Sequence, residues 1–219
     1  HTELAARIVK VPYAEGMRLK KADPAYWTPY RNLGKALQFS LPGGVGARRF
    51  VDMAKGYDVH LTLTEAYLYK DTYLDFYPEA REYFALSDWH AKTHEPVRQF
   101  VSNRIRADGY FTDVSNTRFQ GLAADLAKRA LVAVTLACWA EPTSPLYGSR
   151  VVIFVHDELL CEVPIATSSE AALETKRLME REQQITCPHI PPSAEPALQT
   201  RWSKRAKPKW EGEKLVPSV

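Results

Sequence analysis

The sequence predicts an α+β chain in which helices dominate and a small antiparallel sheet carries the acidic chemistry. Three observations lead there. From Thr62 to Thr93, apolar and aromatic residues (Tyr67, Leu68, Leu74, Tyr77, Tyr83, Phe84) recur at helical spacing. Asn116 to Trp139 is a long stretch rich in Ala and Leu, both strong helix formers. Arg150 to Val155 and Leu159 to Val163 are short apolar runs around His156-Asp157-Glu158, the pattern of a pair of strands joined by a turn.

The remaining elements follow in order. Thr2 to Lys10 reads as a short amphipathic helix, broken at Val11-Pro12. Ala22 to Pro29, rich in Pro and aromatics, reads as a connection in which Asp23-Pro24 opens one helical turn. A helix from Tyr30 to Leu41 ends at Pro42-Gly43-Gly44, and Val45 to Lys55 forms another. Pro78 divides the 62–93 stretch into two helices. Val97 to Val101 and Asn103 to Phe111 read as short strands, with Asp108-Gly109 as the hairpin signal. Ser168-Ser169-Glu170 supplies a hydroxyl cap for a final helix reaching Ile185. Beyond it lie Pro188, Pro191, Pro192, Pro196 and Pro208 and a basic run from Arg201 to Lys209, with Ala197 to Trp202 as the expected strand.

With 219 residues and 45% hydrophobic content, the chain can bury one good-sized core or two small ones. A net charge of +3 is too small to argue for nucleic acid by itself. No apolar run reaches membrane-spanning length, so no membrane partner is expected. Cys138, Cys161 and Cys187 are odd in number and lack metal-ligand spacing, which points to reduced thiols and a cytoplasmic location. The chain begins at His1 without an initiator Met, as a fragment, a processed product or one half of a split protein would.

Three constellations carry chemistry. In Val151-Val152-Ile153-Phe154-Val155-His156-Asp157-Glu158-Leu159-Leu160, adjacent carboxylates repel each other and are costly to bury unless a hard divalent cation sits against them. Phosphoryl transfer with two metal ions uses such a site. A solvated turn is the alternative; the apolar flanks favour charges embedded in a core. Arg31, Lys35 and Phe39, at i, i+4 and i+8, share one helical face that suits a nucleoside triphosphate, cations to phosphates and ring to sugar or base. The alternative is an ordinary solvated face with one buried Phe. Asn116 and Gln120 are i, i+4 amides leading into the small-residue stretch Gly121 to Ala124, placed to reach minor-groove acceptors or else to pack a capped helix. His90-x-x-x-His94 with Asp88 is a weaker metal-site pattern.

These features, in this order, resemble DNA polymerase family A, phage-type members included. Arg31-x-x-x-Lys35-x-x-x-Phe39 resembles motif B of the fingers. Gln120-Gly121-Leu122-Ala123-Ala124-Asp125 with Lys128-Arg129-Ala130 resembles the long palm helix. Val155-His156-Asp157-Glu158-Leu159 with Glu162-Val163 resembles motif C. Tyr77-Pro78 with Glu82-Tyr83, and the ending Arg201-Trp202-Ser203-Lys204, match as well.

The resemblance implies part of a right-hand polymerase fold: a helix-rich fingers portion (1–95) inserted in or adjacent to a palm portion (96–219) with a small antiparallel sheet. It implies template-directed nucleotidyl transfer with primer-template DNA, deoxynucleoside triphosphates and Mg²⁺. Arg31 and Lys35 would bind the triphosphate, Lys35 also donating a proton to the leaving pyrophosphate, and Phe39 would pack on the sugar. Gln120 and Asn116 would contact the minor groove, His156 the primer end; Asp157 would ligate metal and Glu158 support the site.

Three positions depart from the family pattern. Gly43 stands where Tyr is usual, Ser40 where Gly is usual, and Thr112 where an Arg is expected. The second metal-binding Asp of the family, in motif A, lies upstream of motif B, and nothing like it precedes Arg31. The expectation is therefore a chain inactive alone, needing an N-terminal polypeptide with motif A, the thumb and, in some members, an exonuclease domain. The competing expectation is a non-catalytic nucleic-acid-binding or assembly subunit that keeps the fold.

Overall fold

The computed structural model describes residues 1–218. Two compact units divide after Gly121, inside the longest helix. Segment 97–106 belongs to the first unit because it is tied to the start of that helix. Buried Gln99 donates its amide to the Thr117 and Arg118 carbonyls (2.9 and 3.2 Å), and Arg104 donates to the Gly121 carbonyl (2.8 Å).

The first unit opens with α1 (Thr2–Ile8), α2 (Tyr13–Ala22) and α3 (Pro24–Ser40). The sequence shows no clear apolar stripe for α2, of which only Gly16 is buried. Helix α3 begins well before the expected Tyr30. The Asp23 carboxylate caps it by accepting from the Tyr26 N–H (3.1 Å), and Pro24 occupies the first turn, where a missing N–H costs nothing. Pro29 lies inside the helix and removes one ladder bond, at a cost of about 3 kcal/mol. Burial of Trp27, Leu33 and Leu37, each worth about 1.5–3 kcal/mol, offsets it.

Helices α4 (Ala47–Lys55), α5 (Leu63–Phe76) and α6 (Glu79–Thr93) follow, split at Pro78 as expected. A reciprocal Thr62–Glu65 capping box starts α5. The core of this unit gathers Leu4, Leu33, Leu37, Leu41, Phe50 and Tyr73. Strands β1 (Val97–Arg98) and β2 (Ile105–Arg106) are shorter than expected and pair antiparallel, Val97 opposite Arg106. Asp108-Gly109 is therefore not the hairpin turn. It leads into α7 (Phe111–Trp139), which starts at Phe111 rather than Asn116 because the Asp113 carboxylate accepts from the Tyr110 N–H (3.1 Å).

The second unit contains the rest of α7, the hairpin β3 (Arg150–Val155) and β4 (Glu158–Glu162), α8 (Ser168–Thr186), and the hairpin β5 (Lys209–Glu211) and β6 (Lys214–Val216). Its core gathers Val134, Ala137, Cys138, Leu146, Ala171 and Leu178, with Val151, Leu159 and Cys161 packed against them. The expected hydroxyl cap of α8 is absent: Ser168 donates back to the Ile165 carbonyl (3.0 Å), and Ser169 Oγ accepts from the Leu215 N–H (3.0 Å). The strand expected over Ala197 to Trp202 is only an isolated bridge, Leu198 to Pro217. The prolines before it remove the ladder donors a strand needs. Among the described residues, no helix is long and apolar enough to cross a membrane.

Candidate functional site

In the first unit, the buried residues Leu33, Ala36 and Leu37 fix one face of α3 in the core, which turns Arg31, Lys35 and Phe39 outward. Arg31 and Lys35 are half-buried, and Phe39 is 54% exposed. The Lys35 ammonium lies 5.9 Å from the centroid of the Phe39 ring and 5.6 Å from that of Tyr57, and the two rings are parallel within 2°. A cation over two ring faces is held electrostatically and stays available to an anion. Tyr57 escaped the sequence reading because it follows α4, and only packing of α4 against α3 brings it under Lys35. Gln38 adds a second tether, donating to the Tyr77 hydroxyl (2.8 Å).

The turn after α3 explains one departure from the family pattern. A Cβ on Gly43 would lie 2.6 Å from Asn116 Oδ1. A Tyr there would have to displace the Asn116 amide. Gly44 has φ +77°, and a Cβ there would lie 2.4 Å from the Phe111 ring. Asn116 thus packs half-buried against this turn, while Gln120, one turn along α7, is exposed. Beside them the Arg118 guanidinium lies 5.8 Å from the Tyr83 ring centroid and 5.4 Å from that of Phe100, and the Tyr83 hydroxyl donates to the Ser115 carbonyl. Burial pushes the Tyr83 phenol up from its ordinary value, so it stays a donor. Sequence spacing gave no sign of this cluster, whose members come from three separate elements.

In the second unit, Val155 pairs with Glu158, so His156-Asp157 is a two-residue turn and Glu158 opens β4. His156 takes φ 56°, the positive value that the tightest hairpin turns require. His156, Asp157 and Glu158 are all exposed, which corrects the expectation that apolar flanks embed them in a core. The flanks themselves are exposed: Val152, Ile153, Phe154 and Val155 show 44, 41, 38 and 47% of their surface. A register shift between Val151 and Ile153 explains part of this. It lets Val151, Leu159 and Cys161 face the core and leaves Ile153, Val155 and Leu160 with Glu158 on the other face. The hairpin borders a cleft of about 1320 Å³ lined by Asp157, Glu158, Leu160, Ala127, Arg201 and Trp202.

Magnesium takes one or two protein carboxylates and completes its shell with water and phosphate oxygens. Asp157 and Glu158 suit it as part of such a shell, and among the described residues no group of three or more His, Cys, Asp or Glu gathers around a common point. The alternative set from α6 does not assemble. Asp88 pairs with Lys92 (2.6 Å), His94 with Asp108 (2.7 Å), and His90 with the Glu95 carbonyl and Arg118 (3.1 and 3.2 Å). Burial raises the Cys161 thiol to about 11, so it remains protonated and inert at neutral pH.

Residues 1–204 match the family model of DNA polymerase family A. The chain belongs to that family. Among its relatives, DNA polymerase I of Aquifex aeolicus is 25% identical over 205 residues, covering 88% of this chain and 33% of that protein. DNA polymerase I of Deinococcus radiodurans is 28% identical over 169 residues, covering 72% of this chain and 16% of that one. The chain thus spans a third or less of these relatives. Among solved structures, the POL domain of Pol1 from M. smegmatis, in complex with DNA primer-template and dNTP, superposes with a TM-score of 0.61 at 24% identity, covering 83% of this chain and 31% of that one. The shared fold is a partial polymerase domain, helix-rich with small antiparallel sheets.

Proposed function

We propose that this chain is the fingers (1–95) and palm (96–219) portion of a DNA-directed DNA polymerase, active in template-directed nucleotidyl transfer when joined by an upstream portion that carries the motif A Asp. The observation behind it is the acidic hairpin: Asp157 and Glu158 sit at an exposed tip whose flanking strand is apolar and uncovered. Such a strand is costly to leave in water and suits a further strand bringing another carboxylate.

In this reading Arg31 and Lys35 bind and orient the triphosphate of the incoming nucleotide. Lys35, held over Phe39 and Tyr57, stands to give a proton to the leaving pyrophosphate. Phe39 packs on the sugar, Gln120 and Asn116 meet the minor groove, and His156 meets the primer end. Asp157 would hold Mg²⁺ with the upstream Asp, and Glu158 supports it. Bound there, the metal ions would lower the charge on the phosphates and activate the primer hydroxyl.

Primer extension tests this, using the chain alone and mixed with the upstream portion, each with an Asp157→Ala control. Activity only in the mixture, lowered at least about a thousandfold by Asp157→Ala, is the expected result. Activity of the chain alone would mean that a carboxylate within it takes the second metal position. Inactivity in both arms with primer-template binding retained would leave the non-catalytic subunit as the better reading.

A further inference from the structure

The family match ends at residue 204, and just there the chain concentrates its positive charge. Arg201, Lys204, Arg205, Lys207 and Lys209 fall within the stretch Arg201–Trp210, which contains no carboxylate. Five cations exceed the +3 of the whole chain, so the other residues together are net negative. All five are exposed. Among the described residues, Lys209 alone of them has an ion pair, a loose one to Glu211 (3.5 Å). Two indoles flank four of the five cations, Trp202 at 52% and Trp210 at 48% exposed.

A basic tail is ordinarily a solvated run, but this one is pinned at both ends. The Ser203 N–H donates to the Gln199 side chain (2.7 Å) and the Ala206 N–H closes a turn onto the Ser203 carbonyl (3.1 Å). The Lys207 N–H donates to Ser218 Oγ (3.1 Å), and the Ser218 N–H donates to the Leu198 carbonyl (3.0 Å). Leu215, 2% exposed, anchors the β5–β6 hairpin on α8 through its N–H to Ser169 Oγ. A fixed backbone carrying exposed cations loses little entropy on binding a polyanion. Exposed indoles spaced along a cationic strip are what unpaired bases stack on, whereas a duplex offers no open base faces.

We infer that Arg201–Trp210 is a docking strip for single-stranded nucleic acid, separate from the α3 face, the start of α7 and the acidic hairpin. Because Arg201 and Trp202 line the same cleft as Asp157 and Glu158, a strand held on the strip is led to the acidic hairpin. That directional role rests on the polymerase reading; the binding itself does not.

Binding of the full chain to a labelled oligo-dT, followed by fluorescence anisotropy over a range of salt, needs no nucleotide and no extension. It therefore stands or falls separately from polymerase activity. The triple variant Lys204→Glu/Arg205→Glu/Lys207→Glu should weaken binding at least tenfold and flatten the log–log salt slope by about 2. Trp202→Ala should weaken it about five- to a hundredfold with the salt slope kept. Charge reversal at Lys20 and Lys21 in α2 should change neither. Circular dichroism should match wild type for all of these surface variants. Unchanged affinity and slope in the triple variant would overturn the inference. So would a strip that binds phosphatidylserine vesicles but no oligo-dT.

Discussion

The α3 face and the β3–β4 hairpin both present charged groups for one proposed reaction, yet they are supported in opposite ways. Behind Arg31 and Lys35 stands a packed core of Leu33, Leu37, Leu41, Phe50 and Tyr73, and Lys35 has two rings to rest on. Asp157 and Glu158 ride on a two-stranded ribbon whose outer face, Ile153 and Val155, is open to solvent. A helix satisfies its backbone internally, so one packed stripe suffices to fix its outward side chains. A hairpin satisfies only its inner edges and needs more strands or a covered face for its own stability. The α3 face is thus fully supported within its unit, whereas the acidic hairpin keeps an apolar face exposed.

The largest effect that would break this contrast is in the support of α3. Phe50→Ala removes a fully buried ring and should destabilise the first unit by about 3–5 kcal/mol in denaturant unfolding. A cost below about 1 kcal/mol would mean that the α3 face does not depend on that core. Next comes Lys35→Gln. It should weaken deoxynucleoside triphosphate binding to the chain alone by about 1.5–3 kcal/mol in calorimetric titration, the usual worth of a hydrogen bond to a charged group. Loss of that difference would remove Lys35 from the nucleotide face. The smallest effect sharpens the other side. Ile153→Thr with Val155→Thr should change the stability of the chain alone by no more than about 1 kcal/mol, because both side chains are already partly exposed. The same pair should weaken association with the upstream portion.

Much of the fold was legible because periodicity and punctuation are local. The split of α5 from α6 at Pro78 and the strand pair around residues 156 and 157 were both expected. Misses cluster where a single carboxylate shifts a boundary, as Asp23 does for α3 and Asp113 for α7. Propensity does not see such caps until the chain path is known. Turn signals misled at Asp108-Gly109, since Asp108 at φ 47° serves equally well to enter a helix. The motif residues were readable, but their surroundings were not: Tyr57 under Lys35, Asn116 against Gly43, and Arg118 over Tyr83 and Phe100 join residues 18 or more apart.

By itself the amino-acid sequence determined which residues share a helical face, where proline and glycine interrupt the chain, and which family the motif order belongs to. Each of these depends on neighbours a few positions apart or on order along the chain. Burial depends on distant segments, and only the tertiary structure decided it. The run Val152 to Val155 reads as core, yet the register shift at Val152 turns much of it into solvent. The basic run from Arg201 carries no local signal for how it is held, yet Ser218 and Leu198 pin it in place. Hydrophobicity states what a residue would gain by burial; whether a partner surface lies within reach is a property of the folded chain.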